Sequence, residues 1–230
     1  MVKIEPLKDI EGVYRVLGLK PARIATRNLT PGRQVYGEKL IVYEGVEYRV
    51  WDPYRSKFSA AILKGLNRLP IGRGSRILYL GAATGTTSSH VSDIVGDEGV
   101  VYCVEFSARA LRELVMNVAR YRENMVPILS DARLPEAYRF IVDEVDGIYC
   151  DIAQPEQARV LADNADLYLK PGGFILLAVK ARSIDVKKSP KEIYEREVNI
   201  LKERGFKIRS VINIESYHKD HVMVYATYKP

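Results

Sequence analysis

Apolar and polar positions fall into two regimes that change near residue 75. Before it, four short β-prone runs, residues 13–17, 22–26, 40–43 and 47–51, are separated by Gly and Pro. Asp52 followed by Pro53 reads as a helix N-cap and first helical position, after which Phe58, Ile62, Leu66 and Leu69 recur at helical spacing. Beyond residue 75, compact apolar runs alternate with amphipathic stretches. Strands are expected over residues 76–80, 100–105, 126–129, 147–150 and 174–179. Helices between them run through Leu111, Leu114, Val115 and Val118, and through Ala158, Leu161, Ala165 and Leu169. A charged helix over residues 190–204 precedes two last strands near 206–215 and 222–227.

Strands alternating with helices predict right-handed βαβ units and a mainly parallel sheet. The last two strands are joined only by residues 216–220, too few for a parallel crossover, so the final strand is expected to run antiparallel. The expected fold class is α/β: about seven strands, mainly parallel with an antiparallel last strand, plus a small N-terminal β-rich region. That layout is similar to the Rossmann-like methyltransferases, a likeness of fold that leaves function open. The expected division is a β-rich domain over residues 1–52 and a methyltransferase domain over residues 53–230. There is no internal repeat and no low-complexity segment.

Composition narrows the class further. With 230 residues, 47% hydrophobic and 28% charged, the chain is neither a disordered tail nor a disulfide scaffold, and it can bury a core unaided. Its net charge is +6, with a pI near 9.2. The surplus is uneven: residues 1–75 carry 14 Lys and Arg against 7 Asp and Glu, whereas the remainder carries 21 against 22. A basic surface suits a polyanion such as RNA, and it equally suits plain solubility. No stretch approaches a membrane span and the start lacks the apolar core of a signal peptide, so a soluble, cytoplasmic protein is expected. Cys103 and Cys150 sit in apolar strands and read as buried hydrophobes rather than metal ligands or a disulfide. Only three Gln occur, which hints at a thermophilic source.

Chemistry concentrates at strand ends. The first strand of the second regime runs into Gly81-Ala82-Ala83-Thr84-Gly85-Thr86-Thr87. Glycines at a strand-to-helix turn allow close approach of a ligand, but the central glycine of a dinucleotide motif is absent and Ala83 stands near its place. A pyrophosphate needs that gap; S-adenosylmethionine carries no phosphate and tolerates the turn. Glu105 ends the next strand, where an acidic side chain can accept hydrogen bonds from both ribose hydroxyls. Asp131 and Asp151 follow the third and fourth strands, so three carboxylates face one sheet edge, where open α/β sheets bind ligands.

Lys180 ends the most apolar strand, beside Asp151 if those strands are neighbours. Burial lowers a lysine's pKa and makes it a base, a nearby Asp opposes that, and a second cation such as Lys57 restores it. His218 and His221 are three apart, which on a strand puts them on opposite faces and argues against a shared metal ion. Alternation places His221, Met223 and Tyr225 on one face, and His221 within reach of the site.

At this point the residues resemble the archaeal fibrillarins, methyltransferases of box C/D guide ribonucleoproteins, over essentially the whole chain. The motifs are Tyr79-Leu80-Gly81-Ala82-Ala83-Thr84-Gly85-Thr86-Thr87, Ser89-His90-Val91-Ser92-Asp93-Ile94-Val95-Gly96, Asp151-Ile152-Ala153-Gln154-Pro155 and Asp220-His221-Val222-Met223-Val224. Thr84 is a conservative departure from a position where Ser is also common. The resemblance implies guide-directed transfer of a methyl group from S-adenosylmethionine to a ribose 2′-hydroxyl of rRNA and tRNA. It implies a catalytic set of Lys57, Asp151, Lys180 and His221. For the methyl donor it implies Gly81, Ala83, Thr86, Thr87, Glu105, Phe106, Asp131, Ala132, Asp151 and Gln154, and no metal. Implied partners are the box C/D guide RNA with its target RNA, a Nop-domain scaffold protein and a kink-turn-binding ribosomal-type protein. On this basis Lys180 accepts the hydroxyl proton, Lys57 positions the hydroxyl, Asp151 orients both lysines, and His221 holds one lysine by a hydrogen bond.

Nothing in the sequence reads bases, so weak and salt-sensitive binding of the isolated chain to RNA is expected, with Arg55, Lys64, Arg68, Lys187 and Lys188 as candidate backbone contacts. Three other functions stay open. A stand-alone RNA ribose methyltransferase of the heat-shock type shares the Lys-Asp-Lys set but usually ends it in Glu. A nicotinamide-dependent oxidoreductase is disfavoured by Ala83, and a non-catalytic RNA-binding module by the intact site residues.

Overall fold

A computed structural model describes residues 2–228. Strands β1 (Lys3–Pro6), β2 (Val13–Leu17), β3 (Arg23–Arg27), β4 (Leu40–Tyr43) and β5 (Val46–Trp51) form an antiparallel sheet in the order β1-β2-β3-β5-β4. β1 escapes the sequence pattern because only Ile4 of its four residues is buried, against Val16, Ala25 and Tyr48.

Helix α1 (Lys57–Leu63) corrects the expected N-terminus. Ser56, not Asp52, is the N-cap, its hydroxyl accepting the Ser59 N–H at 3.3 Å. Asp52 caps a preceding turn instead, its Oδ1 accepting the Tyr54 N–H at 2.9 Å. Leu66 and Leu69 lie beyond the helix, yet both are buried, which is why their spacing prolongs the apparent period.

The rest alternates as expected: β6 (Arg76–Leu80), α2 (Thr86–Val95), β7 (Val100–Glu105), α3 (Ala108–Asn117), β8 (Met125–Leu129), β9 (Val145–Cys150), α4 (Gln157–Tyr168) and β10 (Leu169–Lys180). Then come the short α5 (Ala181–Ile184), α6 (Pro190–Glu203), β11 (Phe206–Asn213) and β12 (His221–Tyr228). The seven strands are ordered β11-β12-β10-β9-β6-β7-β8, with β12 antiparallel to both its neighbours and the others parallel. This is the Rossmann-like methyltransferase fold. Among the described residues, no helix is long and apolar enough to cross a membrane.

α2 has no solvent face: residues 87–95 are all buried, although they include three serines, His90 and Asp93. One side packs on the main sheet and the other on the N-terminal sheet, through a shared core that includes Ile24, Trp51, Val91 and Ile94. Ser89, His90 and Asp93 of α2 find hydrogen-bond partners across that junction. Asp93 accepts hydrogen bonds from Arg49 Nη1 at 2.8 Å, Arg122 Nη1 at 2.6 Å and Thr26 Oγ1 at 2.7 Å. Arg49 Nε also donates to Glu38 at 2.6 Å. Two arginines and two carboxylates without solvent contact are tolerable only because each is paired and hydrogen-bonded.

Cys103 and Cys150 are free thiols in the sheet, and burial pushes both up to about 12.

Candidate active site

Parallel register brings the strand exits together. Leu80 pairs with Val104 and Cys150, and Leu177 with Cys150, so Gly81, Glu105, Asp151 and Lys180 leave the sheet at one edge. Gly81 has a φ of +83°, and a Cβ there would sit 2.7 Å from the Asp151 carbonyl oxygen. Only glycine lets the β6 and β9 exits approach this closely. Ala83 takes a left-handed φ of +47° without being glycine, a strained conformation of the kind held at functional turns. Its N–H donates to Glu105 Oε2 at 2.9 Å, while Glu105 Oε1 accepts the Ser107 N–H at 2.8 Å. The Glu105 carboxylate is thereby fixed, and each oxygen keeps a lone pair for a further donor.

A cleft of about 250 Å³ opens at this edge, lined by Gly81, Ala83, Glu105, Phe106, Asp131, Ala132, Asp151, Gln154 and Lys180 among others. Eight of the ten residues expected for the donor are in its wall. Thr86 and Thr87 are not, and the Thr87 hydroxyl turns inward to donate to Ser56 Oγ at 3.0 Å. Val104, Ser130, Ile152 and Ala153 complete the wall and were not foreseen; apolar and backbone contacts leave no distinctive sequence signal. The lining fits a cationic, partly apolar nucleoside. Three carboxylates would repel a pyrophosphate, and the Ala83 N–H that could bind one is already committed to Glu105. Asp131 is engaged by Arg133, which lowers its carboxyl below the ordinary range.

At one end of the cleft the charges converge. Lys57 Nζ, from the first residue of α1, donates to Asp151 Oδ2 at 3.0 Å. Lys180 Nζ lies 2.8 Å from Oδ1 and donates to the Asp151 backbone carbonyl at 3.0 Å. Burial pushes the Asp151 carboxyl up, but the two lysines outweigh it and hold it below its ordinary value. One carboxylate therefore fixes two ammonium groups from distant parts of the chain.

His221 differs from expectation. Its backbone pairs with Lys180 in the sheet, yet its ring bonds to neither lysine. Nδ1–H donates to the Lys219 carbonyl at 2.5 Å, which leaves Nε2 as an acceptor. Burial, with the Lys57 charge adding to it, lowers the imidazole below its ordinary range. The opposite-face argument for the two histidines also fails, because His218 lies in the turn before β12 and the rings are 6.0 Å apart.

The Fibrillarin family model matches residues 4–230. A fibrillarin-like rRNA/tRNA 2′-O-methyltransferase of Staphylothermus marinus is 57% identical, covering 100% of this chain and 98% of that protein. Fibrillarin of Aeropyrum pernix, solved with natively bound S-adenosyl-L-methionine, superposes with a TM-score of 0.90 at 50% identity, covering 98% of this chain and 99% of that one. The fibrillarin of a fibrillarin/Nop5p complex superposes with a TM-score of 0.84 at 42% identity, covering 96% and 99%. With a site built at the strand exits from the motifs that carry the resemblance, this chain belongs to the fibrillarin family.

Proposed function

We propose that this protein transfers a methyl group from S-adenosylmethionine to the ribose 2′-hydroxyl of rRNA and tRNA, as the catalytic subunit of a guide-directed box C/D ribonucleoprotein. The observation that carries the reading is the Lys57–Asp151–Lys180 ion triad beside a cleft walled by three carboxylates. The names of its relatives support the substrate, and the bound donor in the Aeropyrum pernix protein supports the cofactor. The fibrillarin/Nop5p complex supports a Nop-domain scaffold as partner. A guide RNA paired to its target and a kink-turn-binding ribosomal-type protein complete the proposed particle.

In this reading Glu105 holds the donor's ribose, Asp131 and Ala132 flank its base, and Asp151 and Gln154 face its amino-acid end. The donor supplies a sulfonium-activated methyl group, which the ribose oxygen takes as the neutral thioether leaves. A ribose hydroxyl is a poor nucleophile at neutral pH, so alignment and proton removal are the protein's contribution. Lys180 first gives up one ammonium proton to solvent, and its Nζ lone pair then accepts the hydroxyl proton. Lys57 orients the hydroxyl, and Asp151 fixes both nitrogens on one side of the cleft. His221 does not hold a lysine; its Nε2 lone pair is left to accept from the substrate side.

The test is methylation of a short RNA with the particle complete and with guide RNA or scaffold omitted, using wild type and Lys180→Ala. Methylation only by the complete wild-type particle is the expected result. Equal methylation without any guide would favour a stand-alone enzyme, and a near-normal single-turnover rate for Lys180→Ala would overturn the base.

A further inference from the structure

Lys57 reaches Asp151 from the first residue of α1, so its Nζ is placed by the chain entering that helix. Within this entry, residues 52–56, the Tyr54 N–H donates to Asp52 Oδ1 at 2.9 Å and the Arg55 N–H to the Asp52 carbonyl at 3.2 Å. Two contacts from the β11–β12 connection press on it. His218 Nε2 lies 2.8 Å from the Pro53 carbonyl oxygen, and the Tyr217 ring meets Tyr54 edge-on with centroids 5.1 Å apart. A carbonyl only accepts, so His218 carries a proton on Nε2. The donor is itself anchored: the N–H groups of Tyr217 and His218 both donate to the Ile214 carbonyl at 2.9 Å, and Ile214 is fully buried. The same connection ends at His221, the strand partner of Lys180. One short segment therefore touches the turn that carries Lys57 and continues into the strand beside Lys180.

We propose that His218 is a positioning residue for Lys57: its hydrogen bond to Pro53 fixes the entry of α1 so that Lys57 Nζ meets Asp151 Oδ2. The inference rests on the active-site reading above. Burial, together with the Lys57 charge, holds His218 below the ordinary imidazole range, so at pH 7 its single N–H is committed to Pro53. Pro53 is buried and its carbonyl faces a donor that no residue of its own turn replaces among the described hydrogen bonds. Without that bond the turn gains freedom, and a displacement of about 1 Å in a reacting constellation costs up to about a hundredfold in rate.

The experiment is methyl transfer by the reconstituted particle carrying His218→Leu, His218→Gln, Lys57→Ala or the His218→Leu/Lys57→Ala pair. His218→Leu is expected to lower kcat about tenfold while the calorimetric Kd for S-adenosylmethionine stays within about twofold. His218→Gln, whose side-chain N–H reaches about as far as Nε2, is expected to restore most of kcat. On the Lys57→Ala background His218→Leu is expected to add nothing, since both changes remove one interaction. The proposal is overturned by an unchanged kcat in His218→Leu, by a well-folded His218→Gln that stays as slow as a slowed His218→Leu, or by full additivity in the pair. If His218→Leu melts early, His218→Gln and the Lys57→Ala comparison carry the test. A wild-type rate in Lys57→Ala alone would overturn the active-site reading itself, and this inference with it.

Discussion

Thr87 donates its hydroxyl hydrogen to Ser56 at 3.0 Å, tying the first turn of α2 to the N-cap of α1. The glycine turn that shapes the donor cleft and the helix that carries Lys57 thus share one polar anchor, buried on both sides. Ser56→Ala removes the cap of α1 and the acceptor for Thr87 together. It is expected to lower stability by about 1–2 kcal/mol, read as a shift in urea midpoint at constant m. A shift in midpoint no larger than that of an exposed serine would mean the anchor carries little.

Glu105 is held by two donors, the N–H groups of Ala83 and Ser107, so neither of its oxygens can become an amide nitrogen without facing an N–H. Glu105→Gln is therefore expected to break one of these bonds and to turn the group away from the cleft. Affinity for S-adenosylmethionine should fall about ten- to hundredfold, the range for a lost hydrogen bond to a charged group, with kcat at saturating donor largely kept. Calorimetry showing unchanged affinity would remove Glu105 from the donor site.

Asp151 gives the triad its pH dependence. Its folded-state carboxyl lies below the ordinary value because Lys57 and Lys180 outweigh the effect of burial. A carboxyl shifted this way stabilises the fold above its unfolded value, near 3.9, and loses that contribution as pH falls through the folded value. Asp151→Asn leaves two neighbouring ammonium groups without their counter-charge. It is expected to cost about 1–3 kcal/mol at pH 7, less than a fully buried pair because the lysines remain 16–18% exposed. The deficit should shrink below about pH 4, where the unfolded wild-type chain takes up a proton that the folded carboxylate still refuses. Guanidinium titrations at pH 7 and pH 3.5 would detect this, and a deficit independent of pH would contradict it.

The site was legible in the sequence where topology alone decides placement. Once strands 76–80, 100–105 and 147–150 are parallel neighbours, the residues after them must share an edge, and Gly81, Glu105, Asp151 and Lys180 do. Contacts between side chains of separate elements were not legible. Periodicity reports which face is buried, and it cannot say that Arg49 pairs with Asp93, 44 residues away, inside the protein. Arg49 counts toward the N-terminal basic surplus, yet it is buried and neutralised, so the charge sum overstates the basic surface there. The cap at Ser56 rests on such a contact too, since its hydroxyl accepts from Thr87 as well as from the Ser59 N–H, and strand alternation does not apply to His218 because that residue lies in a turn.

His90 sits in a directional chain of hydrogen bonds that makes it a reporter of the junction between the sheets. Thr26 Oγ1 gives its one hydrogen to Asp93, so it must accept from His90 Nδ1 at 2.8 Å. Nε2 is then the acceptor for the Tyr36 hydroxyl at 2.8 Å, while the ring stacks on Trp51 at 4.7 Å. Protonating Nε2 would remove that acceptor, and burial plus the nearby Arg49 and Arg122 charges hold His90 well below the ordinary imidazole range. The unfolded chain takes up a proton near pH 6.5 and the folded one does not, so stability must fall as pH drops below that value. The expected slope from His90 alone approaches about 1.4 kcal/mol per pH unit between pH 6 and pH 5, where His218 and His221, also lowered, add to it. His90→Gln, which keeps one donor and one acceptor, is expected to lower stability at pH 7 and to flatten that slope. Urea midpoints measured at half-unit intervals of pH separate the two effects. A His90→Gln protein as pH-sensitive as wild type would place the titration elsewhere.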